Sequence, residues 1–279
     1  MKTINKLLLW SVVFLLAPIS VVFAQNYPER NLGWTLSAQT YTFRLFTFEE
    51  ALSKAKESGL KSVEAYFGQP IAENFPEEMS AQLSTEGKQR VKELLKAYGI
   101  DLVAFGVVGA SDEEGWKDLF SFANEMNVGV INVEPDPKFL SLIAELASTH
   151  QVKVAVHNHP KPTRYWDPEV VLSTIAKVNS PWVGACADVG HWVRSGLDPI
   201  ECLKKFEGVL FSLHMKDLNK KDRNAHDVHW GTGVTGIKEV IQELKRQGFE
   251  GNISCEYEYN WEDNQPDVKQ SISNFRKML

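Results

Sequence analysis

Eight short apolar runs, each followed by a stretch with helical patterning, divide this chain from end to end. The runs lie at 32–39, 61–68, 101–108, 130–134, 152–159, 182–187, 210–214 and 252–256. Each has strand length, and most are apolar almost throughout, as strands buried on both faces are. Helical patterning follows at 51–58, 85–98, 112–126, 137–147, from Asp167 and Pro168 onward, and at 199–206, 237–246 and 266–278. Thr47 with Glu50 three residues on has the form of a capping box that opens the first helix. Eight strand–helix pairs without a change of pattern predict an α/β fold of one kind. It is a single (β/α)8 TIM barrel, closed and parallel, rather than a doubly wound open sheet.

The first residues stand outside that alternation. Lys2 and Lys6 precede an apolar run from Leu7 to Ala24 that Pro18 interrupts, and polar Gln25 follows. A basic start, an apolar centre and Val22 and Ala24 before the break read as a secretory signal peptide over 1–24. The barrel domain is then 25–279, about 255 residues, close to the ~250 typical of one such barrel. The protein is expected to be exported, periplasmic or extracellular, with no membrane attachment once the leader is cleaved. A net charge of -6 argues against nucleic acid as a partner, since phosphate contacts need a cationic face. The three cysteines, Cys186, Cys202 and Cys255, cannot all pair within one chain and show no metal or redox spacing; two of them lie in apolar strands as small core residues. A homo-oligomer is compatible with all of this.

Four of the runs end in a side chain that can hold a metal. Glu134 closes the fourth, Asp188 the sixth, His214 the seventh and Glu256 the eighth. In a (β/α)8 barrel the strand C-termini converge on one mouth, so these distant residues are expected to meet. Singly, a strand-end glutamate is more often a salt-bridge partner, and a lone histidine a satisfied core group. Four at equivalent strand ends form a ligand set for one divalent ion. Oxygen-rich coordination with one imidazole suits Mn²⁺, Mg²⁺ or Co²⁺, with Zn²⁺ also accommodated. On the fifth strand, His157 and His159 share a face and are candidates for substrate contact or metal binding. Glu258 shares a face with Glu256 and is the second choice at that position. Glu64 and Tyr66, at the second strand end, are weighed as substrate contacts against a structural role. Trp34, Trp166, Trp192, Trp230 and Trp261 fall at strand ends or in loops, where indole faces could stack on a sugar; Trp192 and Trp230 are taken as substrate-binding. The loop from Gly231 to Gly236 could offer amides to an anion and reads as a mobile lip.

With the Asp188-x-x-His191 pair, His214-x-Lys216 and the final Glu256, the chain resembles the sugar phosphate isomerase/epimerase superfamily, the xylose-isomerase-like TIM barrels. In the ketose 3-epimerases of that group the matching glutamate, aspartate, histidine and glutamate bind the metal, and the two glutamates exchange protons with substrate. The resemblance therefore implies Glu134 and Glu256 as catalytic residues, and His191 as a contact to substrate oxygen. Those epimerases use an arginine after the seventh strand. Here the loop carries Lys216, Arg223, His226 and His229, with Lys216 taken as substrate-binding.

The chemistry stands beside the resemblance. A divalent ion on a ketone oxygen and a neighbouring hydroxyl stabilises the enediolate left when the α-proton departs. Two carboxylates on opposite sides can remove that proton from one face and return it to the other. The expected function is that of an exported, metal-dependent isomerase or epimerase acting on a small, unphosphorylated sugar. A lyase or hydratase for keto-sugars or 3-keto-glycosides shares the first step, and a sugar-binding barrel without catalysis is a third reading.

Overall fold

The strand–helix alternation closes into a ring in the computed structural model, which describes residues 27–279. The segment expected to be a signal peptide lies outside the described residues. In chain order the elements are β1 (Trp34–Gln39), α1 (Phe48–Glu57), β2 (Ser62–Ala65), α2 (Thr85–Tyr98), β3 (Asp101–Val108), α3 (Glu113–Met126) and β4 (Val130–Val133). They continue with α4 (Leu140–His150), β5 (Lys153–His157), α5 (Pro168–Val178), β6 (Val183–Asp188), α6 (Val189–Arg194) and α7 (Pro199–Lys205). The last part holds β7 (Leu210–Met215), β8 (Asp217–Leu218), β9 (Asp227–Val228), α8 (Ile237–Gln247), β10 (Gly251–Cys255) and α9 (Gln265–Met278). The barrel order is β1-β10-β7-β6-β5-β4-β3-β2, parallel throughout, and β8 with β9 forms a separate antiparallel ribbon. Among the described residues no helix is long and apolar enough to cross a membrane.

Local chemistry sets the helix ends. Thr47 and Glu50 form the reciprocal capping box expected of them. Ser84, Asp112, Asp167 and Asp198 each cap the helix that follows with a side-chain oxygen. The apolar layer between barrel and helices includes Phe48, Trp116, Phe120, Trp192, Trp230 and Phe275, all fully buried. Among the described residues the three cysteines are free and buried.

Side chains alternate along each strand, so one set from every strand fills the barrel interior. Toward the strand N-termini that set is small and apolar, with Ala104, Val130, Ala155 and Cys186 in contact. Two residues further along, the same faces carry Asn132, His157 and Asp188, joined by Glu64, Ser212, His214 and Ser254 from other strands. Interior layers of such barrels are commonly Val, Ile and Leu. Here the upper layers are a hydrogen-bonded polar network that opens at the mouth.

Candidate metal centre and proton-transfer site

Asp188 and His214 are register partners on adjacent strands, which puts both side chains on one level of the barrel. Asp188 is also the N-cap of α6, a helix that the sequence pattern did not separate from the loop before α7. Its Oδ1 accepts the His191 backbone N–H at 2.7 Å, which leaves Oδ2 for the site. Around Oδ2 lie Lys216 Nζ at 2.7 Å, His191 Nε2 at 3.5 Å and His157 Nε2 at 3.7 Å. Glu256 Oε2 is 3.0 Å from His214 Nδ1 and pairs with the Lys216 ammonium.

Glu134 stands on the other side of His157. Its Oε1 is 2.5 Å from His159 Nδ1, 3.0 Å from the His159 backbone N and 3.3 Å from His157 Nδ1. Three groupings result among the described residues, with His157 common to all. One is His157, Asp188, His214 and Glu256, the second is Glu134, His157 and His159, and the third is His157, Cys186 and His214. The quartet thus contains three of the four expected ligands, with His157 where Glu134 was expected. The reason is the period of two on β5, which carries His157 into the barrel one layer below His159, while Glu134 at the tip of β4 stands higher at the mouth.

A divalent cation fits this set on one observation. His157 Nε2 is buried without a hydrogen-bond partner, although it points toward Asp188 Oδ2. A buried orphan imidazole nitrogen beside two carboxylates and a second imidazole is a donor set for a divalent ion. The residues that would hold it are His157, Asp188, His214 and Glu256, with Glu134 adjacent.

The protonation states follow from burial and neighbours. Burial raises the Asp188 carboxyl, but His191 and Lys216 outweigh it and hold the group well below its usual value. Burial likewise opposes, and Lys216 and His214 overcome, in lowering Glu256 well below the ordinary range. For Glu134 the bonds from His157 and His159 outweigh burial and bring it down to about 2. All three carboxylates are therefore anionic at neutral pH. Burial would lower His159, yet Glu134 raises it, whereas His191 is pushed well down by burial with Lys216 against it. Lys216 stays charged because Asp188 and Glu256 more than offset its complete burial. Its stem passes over Gly190, where an added Cβ would lie 2.5 Å from Lys216 Cβ, so the glycine of Asp188-Val-Gly-His191 makes room for it.

Several expected contacts are placed elsewhere. Trp192 is fully buried against Phe206, and Trp230 against Phe275, so neither offers a face to substrate. Both are packing residues: Trp192 lies on the side of α6 that meets the end of α7, and Trp230, in the loop after β9, meets α9. Trp34 is at the opposite end of its strand, with its indole N–H donated to Phe249 O. Trp261 stays partly exposed among Tyr41 and Arg44. Tyr41 also meets Tyr66 edge-on at 5.2 Å, which makes an aromatic rim over β1, β2 and β10. Lys216 is not free to bind substrate, since its ammonium is committed to Asp188 and Glu256. The loop amides that could be offered to an anion are taken within the chain: Gly231, Gly233 and Thr235 donate to the Asp217 carboxylate at 2.8, 2.8 and 3.0 Å. That pinned loop is no mobile lip.

Sequence reasoning missed Arg194. It reaches from α6 to Glu258 Oε2 at 2.5 Å and Asp227 Oδ2 at 3.1 Å, with Nη1 3.3 Å from His191 Nδ1. By contrast Arg223 is exposed, His229 pairs with Asp267 and His226 stacks on Tyr259. The spacing Asp188-x-x-His191-x-x-Arg194 is the signal that could have found it, because three-residue steps share a helix face. Asp227, buried beside it, is pushed up to about 8 by burial despite Lys216 and Arg194.

Residues 52–278 match the family model described as the xylose isomerase-like TIM barrel. The chain belongs to that family. A solved structure of an uncharacterised protein from Parabacteroides distasonis is 35% identical, covering 88% of this chain and 100% of that one with a TM-score of 0.72. A D-tagatose 3-epimerase-like protein shares the fold at 19% identity, over 88% of this chain and 96% of its own, with a TM-score of 0.70. A probable 3-DHS dehydratase from Bacillus anthracis does so at 18% identity, over 87% and 98%, with a TM-score of 0.68. No curated protein matches the chain.

Proposed function

We propose that this chain is a divalent-metal-dependent sugar isomerase or epimerase that works by proton transfer at the carbon next to a substrate carbonyl. The observation that carries the reading is the convergence of His157, Asp188, His214 and Glu256 beside the Glu134–His159 pair. When bound, the ion supplies Lewis-acid polarisation of a substrate oxygen. Glu134, anionic and partly exposed, takes the α-proton as general base, and His159 steadies the carboxylate and relays the proton. Glu256, on the opposite wall of the mouth, is the second carboxylate, able to pass a proton taken up from solvent to the other face. His191 is kept neutral and can accept a hydrogen bond from, or donate one to, a substrate hydroxyl. The epimerase-like relative supports this reading through its fold, and the relative described as a probable dehydratase, whose name denotes an elimination, supports keeping a lyase as the second reading.

The test is incubation of purified protein and Mn²⁺ with ketoses and 3-keto-glycosides in D₂O, followed by NMR. Deuterium beside the carbonyl, with a rearranged sugar, is the expected result. Loss of a β-substituent would make the protein a lyase or hydratase. Binding with no exchange would make it a sugar-binding barrel. The basic and apolar pattern over 1–24 supports export to the periplasm or beyond, which N-terminal sequencing of native protein tests by a start near Gln25.

A further inference from the structure

One carboxylate lies deeper than any substrate could reach. Glu64, on β2, is 0% exposed, and both its oxygens are 3.0 Å from His214 Nε2. Asn132 Nδ2 donates to Oε1 at 2.7 Å and Ser254 Oγ to Oε2 at 2.5 Å. Ser254 Oγ is in turn 2.8 Å from Asn252 Nδ2 and 2.9 Å from Ser37 Oγ. Among the described residues no lysine or arginine pairs with Glu64, whose ion-pair partner is His214.

A buried carboxylate is expensive to desolvate, and apolar side chains fill this level of most such barrels. Three strands, β4, β7 and β10, nevertheless contribute donors that converge on this one group. What distinguishes its place is the other end of the ring it touches: His214 Nδ1 points up at Glu256 and the site. A neutral imidazole that gives its one N–H to a carboxylate can turn the other nitrogen's lone pair to a cation, in a fixed ring orientation; without the ion that nitrogen faces the Glu256 carboxylate at 3.0 Å.

We propose that Glu64 is the positioning residue of the metal centre. It accepts the Nε2–H of His214, selects that tautomer, and so presents Nδ1 to a divalent cation. Asn132 and Ser254 hold the carboxylate in place, which makes the polar interior of β2, β4 and β10 the foundation of the site. The inference rests on the metal-dependent reading, which is separable from it by experiment.

Metal-free protein is titrated with Mn²⁺ by calorimetry, comparing wild type with Glu64→Gln and Glu64→Asp. Loss of an outer partner of a ligating histidine commonly weakens metal binding by about 10–100-fold. The Gln variant is expected to lose that much, with partial recovery in the Asp variant, while both keep their far-ultraviolet circular dichroism. Nitrogen NMR of ¹⁵N-histidine-labelled wild type, loaded with Zn²⁺, is expected to show His214 protonated on Nε2 and shifted at Nδ1. Ligation through Nε2 would overturn the proposal, as would a Gln variant that binds Mn²⁺ like the wild type. The wild-type NMR result decides alone should Glu64→Gln not fold. Wild type that takes up no divalent ion would overturn the metal reading and this proposal together.

Discussion

The side-chain amide of Asn158 clasps the backbone of Asp188 twice, accepting from its N–H at 2.8 Å and donating to its carbonyl at 3.0 Å. The bond pair replaces the strand pairing that β5 and β6 lose at their tips, and it fixes where the Asp188 carboxylate enters the site. Asn158→Ala would leave the buried Asp188 N–H without its acceptor, at about 1–3 kcal/mol, while the Asp188 carbonyl keeps its bond within α6. Chemical denaturation is expected to show a loss of about 1–3 kcal/mol, on the scale of one unsatisfied buried polar group. Weaker Mn²⁺ binding should accompany it, because Asp188 is no longer held. Unchanged stability and metal affinity would remove Asn158 from this role.

Lys216 neutralises Asp188 and Glu256 from within the barrel. Lys216→Met keeps much of the volume but leaves two buried carboxylates facing one another. Breaking a buried pair in this way costs about 3–5 kcal/mol. In EDTA the thermal midpoint should therefore fall sharply, and a saturating divalent cation should restore more of it than it adds to the wild type, since ion binding stabilises only the folded state. Equal shifts in both proteins would argue against shared charge compensation.

The Glu134–His159 pair gives metal-free protein a pH signature. His159 has a raised value in the folded state, so its contribution is fully present below the ordinary 6.5 and is lost as pH rises through the raised value. Glu134 has a depressed value, so its contribution is present above the ordinary 4.5 and is lost only as pH falls toward about 2. Urea unfolding in EDTA should show wild type losing its advantage over His159→Gln as pH rises from 6.5. A constant difference between the two across that range would show the pair to be electrostatically idle.

The tryptophans divide by what they touch. Trp192→Ala and Trp230→Ala empty the layer against Phe206 and Phe275, and each should cost about 3–5 kcal/mol of stability. Trp261, half-covered by Arg44 at the rim, should show the reverse on substitution: little change in thermal midpoint and a raised KM for a sugar substrate. A raised KM for Trp192→Ala, with stability intact, would return that residue to the mouth.

Strand and helix positions were legible because period and capping are local. Thr47 with Glu50, Asp112 before α3 and Asp167 before Pro168 each mark a helix start within a few residues of chain. The eightfold alternation then leaves one economical closure, and the strand ends nominate Asp188, His214 and Glu256 as neighbours. Tertiary structure alone decided which histidine joins them, since His157 and His159 share a face and only barrel depth separates them. It also placed Lys216 between two carboxylates, turned Trp192 and Trp230 away from the mouth, and brought Arg194 to Glu258. Most of all it set Glu64 beneath His214 across 150 positions of sequence. Strand order and inward facing are readable from a pattern of two. The distance at which inward-facing groups from different strands meet depends on how the whole ring closes, and no local stretch of sequence carries that.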